Sequence, residues 1–282
     1  MLNLLLIAAP WYFSTPEARE MTDRMVPPGY HGNYWGPEAT RGREDGTLPP
    51  IVLTPQMKRW DEWGRKNLRA GDVVFRLGDA RVAGGWFPMS RFLANASNSK
   101  FSHTGIVAEE DGGPVVYDMG QVSVTRQPFC VWILDNVGYF GVKRLLPEYR
   151  GRIPLVLEYC RDVYARQVPF DYELGLDDTA LYCVELTEKA FRRAGLKLSD
   201  PIRLGDMERA DEYPVQMMGI AAASRWALKT PLTFEQEVFF PGNERHGIWA
   251  SPKLREVVPP TFTPGYPLMG DHGLPKMVSS AE

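Results

Sequence analysis

The sequence predicts an α+β domain, an antiparallel sheet of about five strands packed against helices. Two observations carry this expectation. Strand-type segments separated by turn signals fill residues 70–145, and apolar residues at a helical period take over from residue 155. A third observation sets the limits of the domain. The chain has 282 residues, and its 24 prolines and 26 glycines concentrate toward the two ends. It therefore divides into an apolar segment, irregular arm and lead-in helix at 1–67, a folded domain at 68–257 and a Pro/Gly-rich tail at 258–282.

Residues 2–9 are an apolar run too short to span a bilayer. As a signal segment the run lacks a preceding Lys or Arg. The plainer reading is a first strand or an apolar anchor packed on the domain. The compartment stays open between the cytoplasm and the cell envelope, and membrane association has no support beyond this run. Residues 14–55 show no steady period and read as an irregular arm with one short helix at Pro16–Met25. Residues 56–68, with Trp60 and Trp63, have the spacing of a short amphipathic helix. Gly71-Asp72 makes a turn into a strand at Val73–Arg76. Residues 87–99 suit a helical turn that ends in a polar loop. The next strand runs from His103 to near Ala108, and Asp111-Gly112-Gly113 marks a hairpin turn over Glu109–Pro114. Val115–Met119 returns, and Val122–Pro128 and Gly138–Leu145 complete the sheet.

Leu155–Arg166 places Leu155, Val156, Tyr159 and Val163 at helical spacing. Residues 168–180 form a polar, aromatic loop. A helix starts at Cys183 and runs to about Ala194, where Gly195 stops it. Residues 212–229 suit a further helix and 235–241 a further strand.

Composition excludes some classes of function. Net charge is −3 with 24% charged residues, so no nucleic-acid partner is expected. Cysteine occurs three times, as Cys130, Cys160 and Cys183, with no CxxC pattern. That excludes a disulfide framework and a structural zinc site on sequence grounds. A single Cys130–Cys160 bridge stays open for an exported protein. No metal and no cofactor are expected.

The chemistry-bearing residues lie in two short motifs, Phe101-Ser102-His103-Thr104-Gly105-Ile106-Val107 and Leu181-Tyr182-Cys183-Val184-Glu185-Leu186. Cys183 is the candidate nucleophile, because a helix N-terminus and a nearby imidazolium both favour a thiolate. His103 is the candidate base, interrupting an apolar strand; His246 ranks a distant second, and His31 and His272 lie in irregular segments. Asp118, on the returning strand, is the candidate for orienting the ring, with Glu109 and Glu110 as alternatives. Ser102, Tyr182 and Asp171 are the candidate substrate contacts, and the backbone N–H groups at the helix start are oxyanion donors. Plainer readings exist for each. A buried cysteine is often only a small hydrophobe, and a strand histidine is often a satisfied core residue. Trp86, Phe87 and Phe92 suit the floor of an apolar acyl pocket or, equally, core packing.

The order and spacing of these segments resemble the permuted papain-like hydrolases related to the NlpC-type cell-wall peptidases, the YiiX/YebB-like group. The resemblance covers residues 68–257. It rests on Gly71-Asp72-Val73-Val74, Ser102-His103-Thr104-Gly105-Ile106-Val107, Val115-Val116-Tyr117-Asp118, Phe170-Asp171-Tyr172 and Tyr182-Cys183-Val184-Glu185-Leu186. The segments Phe239-Phe240-Pro241 and Ser251-Pro252-Lys253-Leu254 belong to it too. Val184 departs from the usual serine after the cysteine, and the third position is often Glu where this chain has Asp118. The resemblance implies a circularly permuted papain-like core with Cys183, His103 and Asp118 as catalytic residues. The implied activity is hydrolysis of an amide, ester or thioester in a small-molecule, peptide or lipid-linked substrate. A non-catalytic ligand- or lipid-binding module and an acyltransferase are the competing expectations.

Overall fold

A computed structural model describes residues 32–81, 87–265 and 274–278. The apolar run at 2–9, the helix expected at Pro16–Met25, His31, Trp86 and His272 lie outside the described residues. The described elements, in chain order, are α1 (Pro37–Glu44), α2 (Pro55–Asn67), β1 (Val73–Arg76), α3 (Met89–Ala96), β2 (His103–Glu110), β3 (Gly113–Met119), β4 (Val124–Pro128), α4 (Phe129–Trp132), β5 (Tyr139–Leu145), α5 (Ile153–Ala165), α6 (Cys183–Arg193), β6 (Ile202–Arg203), α7 (Pro214–Ala227), β7 (Glu237–Val238) and β8 (Leu254–Phe262).

Six strands form one antiparallel sheet in the order β4-β3-β2-β1-β5-β8. The architecture is α+β, with six strands in this sheet where the sequence led us to expect about five. The sixth is β8, which crosses the position 257 at which composition placed the start of the tail. Pro259 and Pro260 hide it in the sequence, and an edge strand is where prolines are tolerated. Two other differences have local causes. The β2–β3 turn is tighter than Glu109–Pro114, because Asp111 and Gly112 both take positive φ and let pairing continue to Glu110 and Gly113. The arm contains α1, whose Pro37 and Glu38 start it and whose Arg41 and Arg43 suit its C-terminal end. The strand expected over 235–241 pairs only through Glu237 and Val238, against β6.

Strand alternation gives the sheet two apolar faces. On one, Val73, Phe75, Ile106, Val115 and Tyr117 pack with Val156 and Val163 of α5 and Leu186 and Phe191 of α6. On the other, Val74, Val107, Val116, Phe140 and Val142 pack with Trp60 and Trp63 of α2 and Phe129 and Trp132 of α4. Thr54 caps α2 by accepting the Met57 N–H at 3.2 Å, and Pro55 fits its first turn.

The arm is fastened to the start of β4 and the last described segment to the second layer. The Asn33 side-chain amide donates to Ser123 Oγ at 2.8 Å and to the Val124 carbonyl at 3.1 Å. Trp63 Nε1 donates to the Pro275 carbonyl at 2.9 Å, and Val278 N–H to the Val257 carbonyl at 3.0 Å. Cys130 and Cys160 are buried and free, so the conditional bridge between them is not formed. Among the described residues, no helix is long and apolar enough to cross a membrane.

Candidate active site

The register of the β1–β2 pair sets Arg76 directly opposite His103. Val74, Val107 and Val116 face the α2 and α4 layer, so the two-residue alternation sends Arg76, His103 and Asp118 to that face too. They lie near the open end of the strands, where β2 begins. Gly105 permits the approach of β2 and β3 there. A Cβ on it would collide with Val116 Cγ1 and lie 3.2 Å from the Tyr117 carbonyl oxygen and 3.4 Å from Asp118 Cβ. Gly105→Ala is therefore expected to push β3 away from His103. It should cost roughly 1–3 kcal/mol, the usual cost of overpacking a core, seen as a lower midpoint in a denaturant titration.

The cysteine arrives from the other layer. Tyr182 is the N-cap of α6 and Cys183 its first residue, with Glu185 accepting the Tyr182 N–H at 3.2 Å. Gly195, at φ +78°, ends the helix where expected. Thr104 projects to this side and meets Thr187 of α6, oxygen to oxygen at 2.9 Å, which pins the helix start against β2. The Cys183 thiol donates to the Ser102 carbonyl oxygen at 3.9 Å, which sets it beside His103, and the two interact electrostatically. Cys183 is partly exposed.

His103 is held by Asp118. Its Nε2 lies 2.8 Å from Asp118 Oδ2, which leaves Nδ1 as the nitrogen available to sulfur. Burial disfavours the charged ring, and the Arg76 guanidinium also opposes it. The Cys183 charge and the hydrogen bond to Asp118 outweigh both, so the imidazole is pushed up to about 9. Asp118 is buried, which alone would raise its pKa. The hydrogen bond and charge of His103, the Arg76 guanidinium and the Thr125 hydroxyl instead hold it below the usual carboxylate value. Trp132 Nε1 donates to Asp118 Oδ2 at 2.7 Å, and Thr125 Oγ1 and Gln127 Nε2 donate to Oδ1.

The structure brings together Cys183, His103 and Asp118, and the other expected residues surround them in different ways. The Ser102 hydroxyl accepts the Gly78 N–H at 3.0 Å, which ties the β1 exit to the β2 entry. Tyr182 is buried, and its hydroxyl accepts the Phe239 N–H at 2.5 Å. Asp171 lies beside Leu181, donating its own N–H to the Leu181 carbonyl at 2.9 Å, and its carboxylate accepts the Glu173 N–H at 2.8 Å. Glu109 and Glu110 stand at the far end of the hairpin, where Glu110 pairs with Arg126 and Arg161. His246 lies 3.7 Å from Glu208, in the loop after β7. Phe92 packs on Phe87 and Tyr213, at 5.4 and 6.0 Å between ring centroids.

Sequence reasoning missed Arg76, Thr125, Gln127 and Trp132, which all touch this group. Arg76 left one signal, a cation closing an otherwise apolar strand. The three groups that hold Asp118 from β4 and α4 left none, because only the fold brings them to it. Among the described residues, no group of three or more His, Cys, Asp or Glu side chains could hold a metal ion.

No protein-family model matches the chain, and no curated protein matches it. Among solved structures, the chain is similar to the metalloprotein YiiX from Escherichia coli O157:H7. The similarity has a TM-score of 0.55 at 20% sequence identity, over 68% of this chain and 97% of that one. At that identity the likeness is one of fold.

Proposed function

We propose that this chain is a cysteine-nucleophile hydrolase on a circularly permuted papain-like scaffold. It would cleave an amide, ester or thioester of a peptidoglycan-type peptide or a lipid-linked acyl group. The observation that carries the reading is His103 held by Asp118 at 2.8 Å beside Cys183, whose sulfur lies 3.9 Å from the Ser102 carbonyl oxygen and whose charge favours the imidazolium. In this reading the Cys183 sulfur attacks the acyl carbon, and the backbone N–H groups at the start of α6, free of intrahelical partners, receive the oxyanion. The His103 imidazolium gives its proton to the leaving group, leaving a thioester on Cys183. Neutral His103 then takes a proton from water, whose oxygen attacks the thioester and releases the acid and the Cys183 thiolate, restoring the thiolate–imidazolium pair. Asp118 keeps the ring turned toward sulfur throughout.

The structural neighbour is described as a metalloprotein, and the residues here do not fit a metal. The one carboxylate beside Cys183 and His103 already accepts from Trp132, Thr125 and Gln127 as well as bonding the ring. No step is routed through a metal.

The chain carries its own controls for a test. Burial pushes the Cys130 thiol up to about 12 and raises Cys160 as well, while Cys183 is partly exposed. Treatment with iodoacetamide near pH 6, with the labelled cysteine mapped by mass spectrometry, is expected to modify Cys183 at least tenfold faster than a model thiol. The acceleration should vanish in His103→Ala. Slow labelling of Cys183 at that pH would favour a binding module, and product transferred to an added amine would favour an acyltransferase.

A further inference from the structure

The Asp118 carboxylate has a neighbour that the proposed proton transfers do not use. The Arg76 side chain is only 7% exposed, and its Nη2 lies 3.8 Å from Asp118 Oδ2 and 3.4 Å from Asp135 Oδ2. Its Nη1 donates to the Trp132 carbonyl, and its Cζ lies 4.3 Å from the centre of the Trp132 ring. The same indole donates to Asp118 and lies beside the imidazole, with ring centres 6.1 Å apart. One guanidinium therefore touches the carboxylate that holds the base and both ends of the residue that backs it.

We propose that Arg76 is a positioning residue that divides the charge of Asp118 between itself and His103, and so sets the basicity of the ring. The inference rests on the hydrolase reading for its significance, although its effect is electrostatic and is present with or without substrate. A carboxylate bonded to a histidine alone would bind the ring proton more tightly. A cation on the same oxygen lowers that affinity and keeps the imidazole able to release its proton during each cycle. The charged and titratable groups facing His103 are Cys183 from α6, Asp118 from β3 and Arg76 from β1, with Asp135 also within electrostatic reach of the ring. Asp135, in the 3-10 turn after α4, adds a negative charge on the solvent side of Arg76, with its side chain 40% exposed, and Asp79 adds another near Asp135.

The measurement is the titration of the His103 ring by NMR on 13C-histidine-labelled full-length protein, assigned with His103→Gln. A Cys183→Ser background removes the sulfur charge. There, Arg76→Met is expected to raise the apparent His103 pKa by about half a unit or more, about threefold in proton affinity. Arg76→Lys, which keeps the charge, is expected to stay closer to the parent. Asp135→Asn, a change at a half-exposed side chain, is expected to shift the titration the other way, and it gives the readout if Arg76→Met does not fold. An unchanged titration in Arg76→Met, or in Asp135→Asn where that is the readout, overturns the proposal. A purely packing role for Arg76 would change the amount of folded protein and leave the titration in place. The hydrolase reading is judged separately, by whether the ring pKa falls between wild type and Cys183→Ser.

Discussion

Replacement of Cys183 by alanine is expected to reduce hydrolysis of an acyl substrate by about three orders of magnitude or more, with His103→Ala equally severe. The two losses should not add, since each variant removes the same thiol–imidazole unit and the double variant has little further to lose. Cys183 is small and only partly buried against the core, and His103 lies at the start of its strand, so both proteins should remain folded by circular dichroism. Retained turnover in Cys183→Ala would end the cysteine mechanism. The pH dependence carries its own sign. Departure of the leaving group needs a protonated His103, so the rate should fall as pH rises through about 9. Stability should follow the same proton. The folded protein raises the ring from 6.5 to about 9, so this contribution is complete below 6.5 and is lost as pH climbs through 9. A thermal midpoint that declines over that window in wild type, and declines less in Cys183→Ser, is the expected pattern.

Asp118→Ala is expected to damage both fold and chemistry. The carboxylate is buried and serves four donors besides facing Arg76. Its removal leaves the Trp132 indole N–H, two β4 side chains and part of a guanidinium charge with nothing to receive them. Breaking a buried pair in this way costs about 3–5 kcal/mol. Asp118→Asn separates the two effects. An amide oxygen still accepts from Trp132, so part of the lost stability should be regained in a denaturant titration, while Gln127 and the Arg76 charge go unanswered. The charge that favours the imidazolium is gone, so turnover should stay down on the order of a hundredfold or more. A stable Asp118→Asn protein with near wild-type turnover would remove Asp118 from the chemistry.

Much of the site geometry was legible because it is local. A histidine at the start of a strand and an aspartate at the end of its hairpin partner must end near each other, whatever the rest of the chain does. Cys183 at a helix start was equally readable, since Tyr182-Cys183-Val184-Glu185 carries a start signal and Gly195 a stop. The group that controls Asp118 was not readable. Thr125 and Gln127 come from β4 and Trp132 from α4, and their convergence depends on sheet order. The same limit applied to β8, where two prolines contradict a strand unless one already knows it lies at the sheet's border. Asp171 and Ser102 illustrate another difficulty. A sequence shows a polar side chain but not whether its oxygen is already satisfied by a backbone N–H, from its own loop for Asp171 and from the β1 exit for Ser102.

The path of β8 bears on how the chain can be shortened. Ending the polypeptide at residue 257, as composition alone would suggest, cuts that strand in the middle and strips the partner from Tyr139 and Phe140. The exposed ladder of N–H and C=O groups on β5 would then be a template for pairing with other molecules. It would also remove Pro275, the acceptor for the Trp63 indole. A trimmed version that clumps would therefore be reporting an open border of the sheet where β8 lay, three strands across from His103 and in the same register row as Phe140 and Arg76.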